Sequence, residues 1–433
     1  MVVRFKPFSL QSIIWLVGLG PVLVTVLTPR DISLGQQFDG QLEPELLAFT
    51  VSRALVAVIM LVCAATILFA SLHSGFPKKG ASVWSSYLVY FFSSIVITSF
   101  AGTVPTFDIR MLYTPIVLTA IYFAAPVSTG RLVTQSKVIL LAYVYGSILA
   151  AVVAPDWAML GGYTSYLPNV DFRLFGVTPH SNSLGPLAAA YVVLEMASPT
   201  HSRARILHLL ATVGVLLFAQ SKTAWVFILS VGVIYVLQKA RQWFFGAAAG
   251  YGTVTIFTLT VLASAIVMWL LMVATGSFEL RMYESGGEIE TLTGRIYIWA
   301  ITLNVWQDNP LFGYGLGLWD EDFRAHYGLL FAGHAHNQFV QVLGSSGIVG
   351  LAGLLIYLGT LFVNVIRIAG NNVVPALLFG LIAIDCFTEA PLRNYHIFDA
   401  FFLIHLFLFA QLAQVTKHGM QGSQPALVAN RLR

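Results

Sequence analysis

Apolar runs of about 20 residues recur along most of this chain, each long enough to cross a hydrocarbon core of roughly 30 Å. A chain built this way cannot present a water-facing surface on every side. Within lipid each backbone N–H and C=O must be satisfied inside its own segment, which leaves a bundle of helices as the expected architecture. Composition agrees: 57% of residues are hydrophobic and 10% charged, against roughly 25% charged in soluble domains. The expected fold class is therefore all-α integral membrane, with about 12 transmembrane helices forming one polytopic domain over residues 1–433. Spans are expected near 11–28, 52–72, 83–101, 111–127, 137–154, 183–198, 206–220, 223–238, 250–274, 347–368, 373–389 and 397–415. Cys63 and Cys386 fall inside apolar runs and read as small packed hydrophobes, and no zinc-type cysteine spacing exists. Arg4 and Lys6 precede the first run as in a signal peptide, but no small-residue cleavage site follows, so an uncleaved first span is expected.

Charge placement tests the span count independently, because Lys and Arg accumulate in short cytoplasmic loops. With the N-terminus placed in the cytoplasm, 14 of the 23 basic residues fall inside, with close pairs at 78–79, 203–205 and 239–241. Most acidic residues fall outside, and Glu195 is the one that leans inward. Both termini are thus expected to be cytoplasmic. Arg173, Lys222 and Arg295 run against the trend on outer connections. The loop 275–346 is the longest, and loops of that length are usually functional or separately folded.

That loop concentrates the polar chemistry. Thr291-Leu-Thr293-Gly294 suits a helix start, with Thr293 as its cap. Arg295, Trp299, Thr302 and Trp306 then share one face, Ile298, Ile301 and Val305 an adjoining one, and Asn309-Pro310 stops the helix. The two tryptophans suggest a helix lying on the membrane interface. Gly313, Gly315 and Gly317 permit a tight turn; with no preceding strand they are not a nucleotide loop. His334-Ala-His336-Asn337 opens a short helical run from Gln338 to Leu343, which leads through Gly344-Ser-Ser-Gly347 into the tenth span.

Each polar group has a functional and a plain reading. Arg295 near a helix N-terminus suits a phosphate, or a lipid headgroup. Lys222, in a very short turn between apolar spans, meets an anion or snorkels to the interface. Arg173, His180 and Asn182 form a third outer cluster, or a plain polar loop. His336 suits a general base or a helix cap. His334 and His336 with Asp320 or Asp322 give a weak metal pattern. Asp385, Glu389, Arg393 and Asp399, in or near the last two spans, could pair with one another.

The run His336-Asn337, nine residues, Gly347, two residues, Gly350 resembles the signature of the O-antigen ligase superfamily. Gly294-Arg295-x-x-x-Trp299 followed by Asn309-Pro310-Leu-Phe-Gly313-Tyr-Gly315 is similar to it too. Thr291 to Arg295, Ser221-Lys222-Thr223 and Arg173-Leu-Phe-Gly with His180-Ser-Asn182-Ser-Leu-Gly185 resemble the exopolysaccharide-polymerase branch. The likeness runs collinearly over about 170–390. It implies a GT-C-like membrane glycosyltransferase of the bacterial inner membrane, with one large periplasmic loop, over 275–346, holding short interfacial helices and part of the active site. The implied donor is an undecaprenyl-diphosphate-linked glycan, and the implied acceptor a glycan or lipid A–core. Implied catalytic residues are His336 as base and Arg295 and Lys222 against the diphosphate. Arg173, Asn337, His334, His180, Asn182 and Trp299 are implied on the substrate side. No metal or other cofactor is expected; membrane lipids, a flippase and a chain-length regulator are the further partners, and nucleic acid is not one. Ligases of this family usually carry arginine where Lys222 stands, which favours a polymerase. A twelve-span transporter or flippase is the rival from another class, but it should show repeated, interrupted helices in two halves, and no such pairing is seen.

Overall fold

The computed structural model describes residues 9–28, 46–74, 81–163, 165, 167–245, 292–329, 332–369, 372–393 and 397–418. The expected span 250–274 lies outside them. Five helices are long and apolar enough to cross a membrane: α1 (Leu10–Leu27), α2 (Leu46–Ser74, apolar over Leu47–His73), α3 (Ala81–Ala101), α5 (Thr129–Val153) and α11 (Gln338–Ala369). Between and after them come α4 (Tyr113–Phe123), α6 (Ser181–Ala197), α7 (Ala204–Ala219), α8 (Lys222–Phe245), α9 (Leu292–Trp306), α10 (Glu321–Tyr327), α12 (Val374–Thr388) and α13 (Ala400–His418). The chain is thus a mostly helical, multi-pass type of membrane protein. α6, α12 and the apolar stretch of α13 are buried on nearly every side, as helices at the centre of a bundle must be, while α2 and α7 expose leucines and valines outward.

One part of the fold is not helical. Met159–Gly161 (β1) and Phe172–Leu174 (β2) pair antiparallel, with Leu160 opposite Arg173. The all-α expectation overlooks this hairpin because strands of three residues each carry no readable alternation. The hairpin stands at the end of the bundle where α6 begins and α7 ends. Gln220, which closes α7 in a left-handed conformation, clips it there: its Nε2 donates to the Phe172 carbonyl at 2.8 Å and its Oε1 accepts from Ser165 Oγ at 2.8 Å.

The long helix α11 is broken. α11 begins at Gln338, with Asn337 as its cap: Asn337 Oδ1 accepts the N–H groups of Phe339 and Val340 at 3.0 and 3.1 Å. At Gly347 the backbone leaves the helix, with φ 63° and ψ −163°, a combination open essentially to glycine alone. Such a break frees carbonyls before it and N–H groups after it, and in a bundle these need partners. The loop Pro310–Gly315 supplies them. Tyr314 and Gly315 donate N–H to the carbonyls of Gly344 and Ser345 (2.8 and 3.0 Å), while Ile348 and Val349 donate to the carbonyls of Pro310 and Leu311 (2.9 and 3.1 Å). The other edge of the loop pairs with the chain after α3: Thr103 and Val104 donate to the Gly313 and Tyr314 carbonyls at 3.0 and 2.7 Å. Asn309 Nδ2 donates to the Ala101 carbonyl at 2.8 Å. The Asn-Pro-Leu-Phe-Gly-Tyr-Gly run is therefore the plug of a discontinuous helix.

The large loop also differs from its expected interfacial form. α9 starts at Leu292, so Thr293 lies within the helix and does not cap it. Ile298, Ile301 and Val305 are covered by protein, in a small second core with Leu318, Trp319, Phe323 and Ala335. The apolar face that suggested a lipid surface is instead the floor of a cap folded over the start of α11.

Candidate functional site

The polar residues singled out from the sequence converge on one carboxylate, and it belongs to Glu389. α12 ends at Thr388, and Glu389 follows in extended backbone, buried at the mouth of the bundle. Its Oε2 lies 3.0 Å from His336 Nδ1 and 3.3 Å from His334 Nε2. Its Oε1 accepts from Asn182 Nδ2 at 2.9 Å and lies 3.4 Å from Arg295 Nη2. Arg295, His334, His336 and Asn182 are thus brought together as a cluster around a residue that the sequence suggested only as a partner for its neighbours. Arg393 pairs with Asp399 at 3.8 Å, whereas both carboxyl oxygens of buried Asp385 lack a hydrogen-bond partner among the described residues.

Local structure aims each group. The strained left-handed backbone of His336 (φ 47°) turns the chain sharply before α11. His336 N–H donates to His334 Nδ1 at 3.0 Å, so the neutral His334 ring carries its proton on Nε2, toward Glu389. Trp299 Nε1–H donates to the Ala335 carbonyl at 2.7 Å and ties α9 to the same turn. That bond gives Trp299 a fixed structural partner. Burial alone would raise the Glu389 carboxyl, but His336, by charge and hydrogen bond, with Arg295 and His334, holds it well below the usual carboxylate range. For His334, burial and the charges of Arg393 and His336 hold the imidazole well below its ordinary value despite Glu389. An ionised Glu389 accepts a hydrogen bond from His336 Nδ1–H, which leaves His336 Nε2 with the free lone pair.

The remaining expected residues take other positions. Arg173 is 4% exposed, its guanidinium held by the Ala219 and Gln220 carbonyls and by Asn182 Oδ1. His180 caps α6, accepting the Asn182 N–H at 3.0 Å. Asn337 caps α11. Lys222 is exposed at the first turn of α8, and its neighbour Thr223 joins hydroxyls at 2.8 Å with Thr388, the residue before Glu389. The carboxylates of the weak metal pattern, Asp320 and Asp322, are not in the cluster; Asp320 caps α10 through the Phe323 N–H.

With this geometry in view, comparison with protein families is informative. Residues 207–355 match a family model described as O-Antigen ligase. The match spans about a third of the chain and supports a place in the O-antigen ligase and polymerase superfamily. No curated protein matches it. The matched segment includes Lys222, Arg295, His334, His336 and the broken helix, but ends before Glu389. The match supports, at the coarse level, a membrane enzyme of the glycan ligase and polymerase type.

His334, His336 and Glu389 also place three candidate metal-ligand atoms within 4.8 Å of one another. Here those atoms are already engaged. The His334 tautomer fixed by its Nδ1 acceptor bond puts N–H, not a lone pair, toward Glu389. The Arg295 guanidinium supplies a further positive charge to the same carboxylate. A cation would have to break this arrangement, so the donor set fits a hydrogen-bonded His–Glu pair better than a metal.

Proposed function

We propose that this protein transfers a glycan from an undecaprenyl-diphosphate carrier to a sugar hydroxyl at the periplasmic face of the bacterial inner membrane, polymerising exopolysaccharide or O-antigen repeat units. The single observation that carries this reading is the Glu389–His336 pair. A carboxylate on Nδ1 orients the imidazole and stabilises the imidazolium that forms, leaving Nε2 to accept the proton of the acceptor hydroxyl. The hydroxyl oxygen attacks the anomeric carbon. The bond from that carbon to the diphosphate oxygen breaks, and the configuration inverts in a single displacement. Undecaprenyl diphosphate leaves with its electron pair, and its growing charge needs cations aimed at it in the transition state. Arg295, at the edge of the cluster, and Lys222, exposed beside it, suit that role. Because side chains supply this charge, the reaction is expected to proceed without a divalent metal.

Lysine at position 222 supports the polymerase over the ligase, since the bidentate fork typical of the ligase turn is absent. The test is purified protein with lipid-linked repeat units. Longer lipid-linked chains, formed equally in the presence of a chelator, are expected. His336→Ala is expected to lower the rate by roughly a hundredfold or more, and Arg295→Ala to abolish product with expression intact. Transfer only to added lipid A–core would identify a ligase. Lipid translocation without glycan transfer would overturn both.

A further inference from the structure

Arg173 is nearly fully buried, and its guanidinium joins the end of α7 to the Asn182 side chain. Its Nε donates to the Ala219 carbonyl at 3.1 Å and its Nη2 reaches the Gln220 carbonyl at 3.4 Å, the last acceptors of α7. The same Nη2 donates to Asn182 Oδ1 at 2.6 Å. An amide whose oxygen is held by a guanidinium can present only its NH₂ on the other side, and that NH₂ donates to Glu389 Oε1 at 2.9 Å. The other Glu389 oxygen holds His336. The Gln220 side chain in turn grips the hairpin that carries Arg173, and the next two residues are Ser221 and Lys222.

We infer that Arg173 is a positioning residue, a clamp that acts through the Asn182 amide to orient Glu389 and hence His336, while fixing the turn that presents Lys222. This rests on the glycan-transfer reading and moves Arg173, expected on the substrate side, to the support of the base. Asn182, expected on the substrate side, becomes the second link of the same chain. The chemistry explains the choice of side chains. An arginine has enough donors to satisfy two backbone carbonyls and an amide oxygen together. A lysine keeps the charge but has no fork to span them.

Two measurements test this. The first is steady-state transfer by Arg173→Gln, Arg173→Lys, Asn182→Ala and the double variant Arg173→Gln/Asn182→Ala. Each single variant is expected to lose roughly ten- to a hundredfold in kcat, the scale seen when a supporting hydrogen bond is removed, with KM for the lipid-linked donor unchanged. The double variant is expected to be no slower than the slower single one, because both break one chain. Multiplied losses, a raised donor KM with intact kcat, or full activity in Arg173→Lys would each overturn the inference.

The second measurement needs no turnover: the rate of His336 modification by diethyl pyrocarbonate at one fixed pH, read on its own peptide by mass spectrometry. Without the Asn182 donor Glu389 holds the His336 ring less firmly, so the rate is expected to rise severalfold, alike in Asn182→Ala and Arg173→Gln. Arg295, His334 and Asp385, which also face Glu389, and Arg393 beside His334, are unaltered in both. An unchanged rate in Asn182→Ala, which keeps the Arg173 bonds to α7, overturns the clamp even if Arg173 variants fail to fold. Absence of transfer by the unmodified protein would instead remove the glycan-transfer reading, and the modification rates would still decide the clamp.

Discussion

Glu389 receives four side chains on two oxygens, so its substitutions separate charge from shape. Glu389→Gln preserves the volume but removes the negative charge that holds His336 as a base; transfer is expected to fall by roughly a hundredfold, measured as kcat, while the protein stays folded. Stability should follow pH through the same cluster. Burial, with Arg393 and His336 nearby, keeps His334 neutral below its ordinary value of 6.5. An unfolded chain binds a proton there that the folded one refuses, so the stability present above about pH 6.5 is lost as the pH falls. Glu389 adds a loss of the same sign below its ordinary 4.5. Thermal melting of the detergent-solubilised protein is expected to drop by a few degrees between about pH 7 and about pH 5.5, and His334→Asn should flatten that slope. At this scale much was legible in the sequence. Arg295, His334, His336 and Asn182 stood out because an apolar chain rarely spends polar residues idly. Glu389 was visible but its role was not, since its partner His336 lies 53 residues away and only the bundle brings them together.

At the scale of elements, the break in α11 is the feature that organises the loop. A Cβ on Gly347 would collide with the Leu311 backbone, and the residue's φ of 63° is itself closed to side chains when ψ is −163°. A Cβ on Gly313 would meet the Ser345 carbonyl carbon at 2.5 Å. Gly347→Ala is therefore expected to destabilise the protein by roughly 2–4 kcal/mol, combining strain with the lost plug, read as a lower melting temperature and poor recovery from the membrane. Gly359→Ala, in the same helix with open space around it, should do neither. The glycine spacing and the restart of the tenth span at Gly347 were readable from local pattern. The reason for them was not, because the partner strand of backbone lies in a loop more than thirty residues earlier. The β1–β2 hairpin was hidden for a different cause, brevity.

At the scale of the whole molecule, the two ends of the bundle carry different chemistry. At one end stand Arg173, Lys222, Arg295 and the Glu389 cluster. At the other, α6 ends in a buried knot: Lys137 Nζ donates to Glu195 at 2.9 Å, to the Ser198 carbonyl at 2.7 Å and to Thr200 at 2.8 Å, and Arg205 Nε lies 3.0 Å from Glu195. Glu195, the acid that ran against the charge trend, is thus paired with two of the cations that set the trend. The division predicts sidedness. With Cys63 and Cys386 replaced by alanine, Asp308→Cys, exposed at the site end, should react with a membrane-impermeant maleimide on intact inner-membrane spheroplasts. His201→Cys, exposed at the knot end, should react only after permeabilisation. The reverse pattern would place the site in the cytoplasm. The plugged helix has one more consequence, for inheritance. The loop 309–315, the chain at 102–104 and the joint at 344–349 bond backbone to backbone across seats that only glycine leaves open, at Gly102, Gly313, Gly315 and Gly347. Two relatives with differently placed glycines, recombined within this set, would drive a Cβ into a closed seat, whereas a crossover that carries all three together leaves the joint whole. The unit that evolution or an engineer can move is not the loop but the loop with its socket.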